Sequence, residues 1–294
     1  MRISDNPYPM GPLSGTLRHK DRMWFGIWIT GLILAGVWDA VFLNSPSFSR
    51  LQTAFANSMI SGMLSVAFSV LLGWWTGVAM YFLETRFRAL YLLCTFFLNL
   101  MRSVPQIVGV LIGYILLTRL IEKEILTGQL SQSIWMACVV GVFVFQEVAD
   151  LVRERVAYFS KLDFFQAMLC CGITESRIIN REILWKNSRG HLLHKMISIF
   201  GTVLFIQCSI DFIVSVGLST DVSLTNFPAT LGNLLAKMDS KQDILAIGAV
   251  FSRGTHLKQL FFEHLQGVSV AFVIVWTLSC VYKIANGVVQ RLKL

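Results

Sequence analysis

Apolar residues gather along the chain into six runs, at 23–43, 54–82, 89–117, 134–151, 196–218 and 268–288. A helix rising 1.5 Å per residue needs roughly 20 apolar residues to cross the hydrocarbon of a bilayer, and each run is about that long or longer. The pattern predicts an all-α polytopic membrane protein with six transmembrane helices. Two polar intervals are long, 152–195 and 219–267. The second contains a short apolar piece at 244–251, too short to span and expected to be a re-entrant or interfacial helix.

Composition agrees with the pattern. Of 294 residues 55% are hydrophobic and 14% charged, with a mean hydropathy of +0.64, against about a quarter charged in ordinary soluble domains. A soluble fold is excluded on these grounds. The net charge of +8 and pI near 9.3 would fit nucleic-acid binding, but the positions of the bases point elsewhere. Arg18, Lys20 and Arg22 precede the first run, Arg86 and Arg88 follow the second, and Lys283, Arg291 and Lys293 close the last. The interval 152–195 adds Arg153, Arg155, Lys161, Arg177, Arg181, Lys186, Arg189 and Lys195. With six spans all of these fall on one side, whereas Arg119, Lys123, Lys237, Lys241, Arg253 and Lys258 on the other side are offset by nearby Asp and Glu. The positive-inside rule then places both termini and the 152–195 loop in the cytoplasm, and no nucleic-acid partner is needed. The polar, Pro- and Gly-bearing stretch 1–22 reads as a retained cytoplasmic tail. Six cysteines show no CxxC spacing and no paired extracellular pattern, so no disulfide framework is expected.

Within the cytoplasmic loop, residues 163–187 read DFFQAMLCCGITESRIINREILWKN. Gly172 can take the left-handed conformation that ends a helix, and Thr174 can cap the next one. A helix, tight turn and second helix are predicted. Phe164, Phe165, Met168 and Leu169 form an apolar face on the first piece. Ile178, Ile179, Ile183 and Leu184 form another on the second, with Glu175, Arg177, Arg181 and Glu182 polar. An apolar stripe outside the membrane has to be covered by the span ends, by the lipid interface or by a partner.

The spacing Gln166-Ala167, Gly172, Arg177-Ile178-Ile179, Ile183-Leu184 resembles the EAA loop of permease subunits of binding-protein-dependent ABC importers. Gln166 stands where that family usually has Glu, and Trp185 where it usually has Pro. After the fifth run, IDFIVSVGLS and PATLGNLLAK resemble the Ser-Phe-Leu-Gly-Leu-Gly and Pro-Ser-Trp-Gly segments of the dipeptide, oligopeptide and nickel branch, with Leu231 for the tryptophan. The segment MRSVPQIVGVL around Arg102 and Pro105 is similar to phosphonate and amino-acid importer permeases. Together the resemblance covers about residues 20–290.

The resemblance implies one tail at 1–22, an anchor helix with an outer loop at 23–53, an importer transmembrane domain at 54–288, and a second tail at 289–294. It implies a multi-pass protein of the bacterial cytoplasmic (inner) membrane that moves a small, peptide-like solute. Implied partners are a homologous second permease, two cytoplasmic ATPase subunits that bind ATP and Mg, an extracytoplasmic solute-binding protein and membrane lipid. It assigns ATPase docking, by a coupling-helix hairpin, to Gln166, Ala167, Gly172, Ile173, Thr174, Glu175 and Arg177. The alternatives are a permease-derived, non-transporting membrane scaffold, or a permease for phosphonate or a nickel chelate.

The remaining chemistry is sparse. No P-loop, HExxH or GxSxG occurs, so neither ATP binding nor catalysis is expected of this chain. His191 and His194 lack a nearby acidic or thiol ligand and read as solvated, not metal-bound. Arg102 and Asp211 are charges within apolar runs, where a charge needs a partner, a water-filled cavity or a route to the interface. They belong either to a translocation path or to helix packing, paired with each other or with another subunit. Pro105 marks a kink in the third run. Gln146 and Glu147 are placed to reach cytoplasmic water, and Trp74 and Trp75 to face lipid or a partner helix.

Overall fold

In the computed structural model, the residues described are 20–125, 128–217, 229–236 and 265–293, and among them every regular element is helical. The elements are α1 (Lys20–Phe42), α2 (Ser45–Arg86), α3 (Arg88–Ser103), α4 (Gln106–Glu122), α5 (Gln129–Phe159) and α6 (Asp163–Cys170). A single turn, Glu175–Arg177, leads into a π-helical segment, Ile178–Asn187. Then come α7 (Arg189–Gly217), α8 (Leu231–Ala236) and α9 (Leu265–Lys293). Five helices, α1, α2, α5, α7 and α9, are long and apolar enough to cross a membrane, and α3 with α4 makes a sixth span if the bent pair is counted as one.

The third apolar run departs most from expectation. It is two helices bent by 92°, not one kinked span. The ring of a proline crowds the preceding residue out of the α region, and Val104 is accordingly extended, at φ −82° and ψ 124°, before Pro105 opens α4. Elsewhere the helices overrun the apolar runs. α2 starts at Ser45 with Pro46 in its first turn, where a missing N–H costs nothing, so the outer loop expected up to residue 53 shrinks to Leu43 and Asn44. α5 continues two turns past its apolar stretch, and α7 begins at Arg189 rather than 196. The 244–251 piece and most of the 219–267 interval lie outside the described residues, as does the tail 1–19.

Among the described residues α2 and α5 form the most extensive helix pair. Ser61, Ser65, Ser69, Gly73 and Gly77 recur every four residues along α2, all buried. Repeats of small residues let backbones approach in lipid, where association rests on van der Waals packing. A Cβ on Gly73 would sit 2.5 Å from Val148 Cβ and 2.7 Å from the Phe145 carbonyl oxygen, and one on Gly77 2.6 Å from Val152 Cγ1. From the other side, a Cβ on Gly141 would lie 2.9 Å from Phe68 Cβ. α4 packs on α5 the same way, Gly109 under Phe143 and Gly113 under Val139. α1 lies on α9, with Gly31 under the Trp276 indole, Trp28 Nε1 donating to Thr277 Oγ1 (3.3 Å) and Ser269 Oγ donating to Asp39 Oδ1.

Gly73→Leu should be expensive because a backbone carbonyl and a branched side chain cannot both move aside. We expect a loss of about 3 kcal/mol, the upper part of the overpacking range. Detergent thermal unfolding and size-exclusion yield measure it. Gly36→Leu is the control, since a Cβ there meets nothing within 4 Å.

Candidate functional site

The segment between α5 and α7 is a short helix, a tight turn and a π-helical stretch whose inner side chains pack on the bundle. Its first helix ends in a Schellman arrangement, with Gly172 N–H donating to Leu169 O (2.9 Å) and Ile173 N–H to Met168 O (3.2 Å). Gly172 has φ +77°, and a Cβ there would meet nothing within 4 Å. The conformation, not space, therefore calls for glycine. Thr174 occupies the N-cap position without a side-chain cap bond. Its carbonyl instead accepts from Arg177 N–H (2.9 Å) and Ile178 N–H (3.1 Å).

Beyond the turn the chain is π-helical for ten residues. This winding brings adjacent pairs inward together: Ile178, Ile179, Ile183 and Leu184 are all fully buried, in one core with Val148, Val152 and Val156 of α5. Phe165 of α6 joins that core. Of the apolar stripes read from sequence, the second is thus covered by the protein's own spans, while Phe164 and Leu169 of the first remain exposed. Two hydrogen bonds pin the hairpin to α2: Trp74 Nε1 to Asn180 Oδ1 and Tyr81 OH to Glu175 Oε1, each 2.8 Å. Trp74 therefore turns to the hairpin, whereas Trp75 is exposed.

Of the residues singled out for docking, Gln166, Ala167, Gly172, Thr174 and Arg177 are exposed, together with Cys170 and Cys171. Ile173 and Glu175 are half-buried and turned to the bundle. Trp185 is 70% exposed and Glu182 pairs with Lys186 (2.8 Å) one turn on.

The intramembrane charges do not pair with each other. Arg102 lies in the last turn of α3, beside the break, and forms an ion pair with Asp150 of α5, both about half exposed. Arg153 donates to Tyr91 OH (3.1 Å) and Gln146 Nε2 to the Leu98 carbonyl (3.2 Å), so α5 holds α3 through three polar contacts. Gln146 is buried, not water-facing, and Glu147 pairs with Lys195 of α7 (2.8 Å). His191 and His194 are half-buried on α7.

Asp211 stands apart from all of these, buried near the far end of α7. Thr230 Oγ1 donates to its Oδ2 (2.6 Å), and the Asn233 N–H donates to the same hydroxyl oxygen (3.3 Å). Neighbouring bonds fix α8 in place: Leu231 N–H to Ser58 Oγ (3.0 Å) and Asn57 Nδ2 to the Ala229 carbonyl (2.9 Å). Gly232 permits the approach, since a Cβ there would lie 2.5 Å from the Cys208 carbonyl oxygen and 2.9 Å from Asp211 Cβ. This part of the 219–267 interval is built into the bundle rather than resting on the membrane. Sequence reading missed Thr230 as the partner of Asp211 and missed Ser61 and Gln207 as lining the same cavity, because nothing in their spacing brings two separate helices and a loop together.

Loosening the hairpin core should expose its loop. Ile179→Ala and Ile183→Ala should each cost about 2–5 kcal/mol locally. Limited proteolysis should then cut between 160 and 188 at a raised rate, while Trp185→Ala, at an exposed position, leaves the rate unchanged. No protein-family model matches the chain, and no curated protein matches it.

Proposed function

We propose that the chain is a permease subunit of an ATP-driven importer, half of a translocation path for a small, peptide-like solute. A cytoplasmic ATPase docks on the tip of the 163–187 hairpin. One observation carries the reading: the hairpin is keyed on one side into the α2–α5–α7 core and on the other presents Gln166, Ala167, Cys170, Cys171, Gly172, Thr174 and Arg177 to solvent. A loop that only closed the chain between two spans would not need such a rigid seat. Fixed by four buried aliphatic residues and two hydrogen bonds to α2, this one moves with the spans as a lever. The ATPase, on closing around ATP and Mg, has to favour one state of the spans by a few kcal/mol, and a rigid lever delivers that difference.

In this reading a second permease completes the path, and an extracytoplasmic binding protein supplies the solute. Both termini are cytoplasmic, in a bacterial inner membrane. With Glu175 paired to Tyr81, the charged edge of the docking surface, read from both Glu175 and Arg177, is left to Arg177.

The test uses the exposed Cys170 and Cys171 as native cross-linking sites in membranes of the source cell. Cross-linking is expected to capture an ATP-hydrolysing subunit, with capture and transport-coupled hydrolysis falling at least tenfold in Gly172→Trp. That indole covers the tip and strains a residue at φ +77° by about 1–2 kcal/mol. Undiminished capture and hydrolysis in Gly172→Trp would overturn the docking assignment. Purification with no ATPase at all would put the non-transporting scaffold first.

A further inference from the structure

A second polar centre lies at the far end of the bundle, about 22 residues, or roughly 33 Å, along α7 from its start at the hairpin. It is a cavity of about 30 Å³ whose wall includes Asn57, Ser61, Gln207, Asp211, Thr230 and Asn233. That volume holds one water-sized occupant. Asp211 is 8% exposed and, among the described residues, accepts a hydrogen bond from Thr230. Among the described residues it has no ion-pair partner, and no Lys, Arg or His lines the cavity. A buried carboxylate in that state is costly unless it takes up a proton or a cation reaches it.

The second observation is independent of the carboxylate. Gln207 is 5% exposed, lines the same cavity, and its Oε1 is buried with no hydrogen-bond partner among the described residues. Buried acceptors in native folds are ordinarily paired. Asn57 commits its amide nitrogen to the Ala229 carbonyl, which leaves its Oδ1 as an acceptor. Thr230 donates its proton to Asp211, which leaves an oxygen lone pair. Among the described residues the cavity thus gathers one carboxylate with amide and hydroxyl oxygens, and no positive group.

We infer that this cavity binds a single desolvated alkali-metal cation, held by Asp211 and the side-chain oxygens of Gln207, Asn57 and Thr230. Hard oxygen donors select a hard cation. A single negative charge matches a monovalent ion, whereas Ca²⁺ sites collect several carboxylates and Mg²⁺ keeps several of its waters. The inference rests on residues at the other end of the bundle from the hairpin and stands or falls separately from the permease reading.

The full chain, purified in detergent, is unfolded thermally in NaCl, KCl or N-methylglucamine chloride at fixed ionic strength. A saturable rise in Tm of about 5 °C is expected at a hundredfold excess over Kd, with NaCl, KCl or both and not with N-methylglucamine. The two alkali salts distinguish which ion fits. Asp211→Asn should abolish the rise, and Gln207→Met should raise the half-saturating concentration at least tenfold. Equal Tm in all three salts, or a rise that survives Asp211→Asn, overturns the inference. If Asp211→Asn does not fold, retention of radioactive Na⁺ and K⁺ analogues by the unmodified chain decides, and no saturable retention overturns it.

Discussion

The α2–α5 contact is the constraint on which the rest of the structure depends. In lipid no hydrophobic effect drives helices together, so close packing has to be built from side chains small enough to admit a neighbouring backbone. The serine and glycine stripe from Ser61 to Gly77 does this. Its consequence extends past the pair itself. Val148 and Val152, which fill the spaces over Gly73 and Gly77, also meet the buried isoleucines of the hairpin in one core. The hairpin therefore rests on residues whose positions the small-residue seam has already fixed. Trp74 and Tyr81, on the same helix as the seam, add hydrogen bonds to that seat.

A second constraint is the break at Pro105. By turning α3 through a right angle from α4, it takes Arg102 off a continuous span and sets it beside Asp150. The bend also leaves α3 without a buried residue, its apolar side chains facing outward. What holds α3 to the bundle is polar: Tyr91, the Leu98 carbonyl and Arg102 meet Arg153, Gln146 and Asp150 on α5. Exposed ion pairs contribute little each, so this attachment is weaker than the glycine-mediated packing beside it.

Two further polar regions lie toward opposite ends of α7. At one end the hairpin satisfies its own backbone through the Schellman turn and keeps its polar tip in solvent. At the other, Asp211 and Gln207 are buried around a small cavity, and the Gln207 Oε1 has no hydrogen-bond partner among the described residues. α2 and α7 run the length between them, so both ends are fixed by the same two helices.

The sequence by itself determined the all-helical, membrane-spanning architecture, because apolar run length and low charge leave a chain few other ways to satisfy its backbone in a bilayer. It also located the turn at Gly172 and the inward-facing residues Ile178, Ile179, Ile183 and Leu184, since amphipathic spacing and a left-handed glycine are local properties. Tertiary structure decided what those local signals met. The π-helical winding, the right-angle break in place of a kink, the partners of Arg102 and Asp211, and the inward turn of Trp74 and Glu175 all depend on neighbours distant in sequence. Small residues carry no hydropathy signal of their own, so the seam on α2 takes its meaning only from the valines of α5 that close over it.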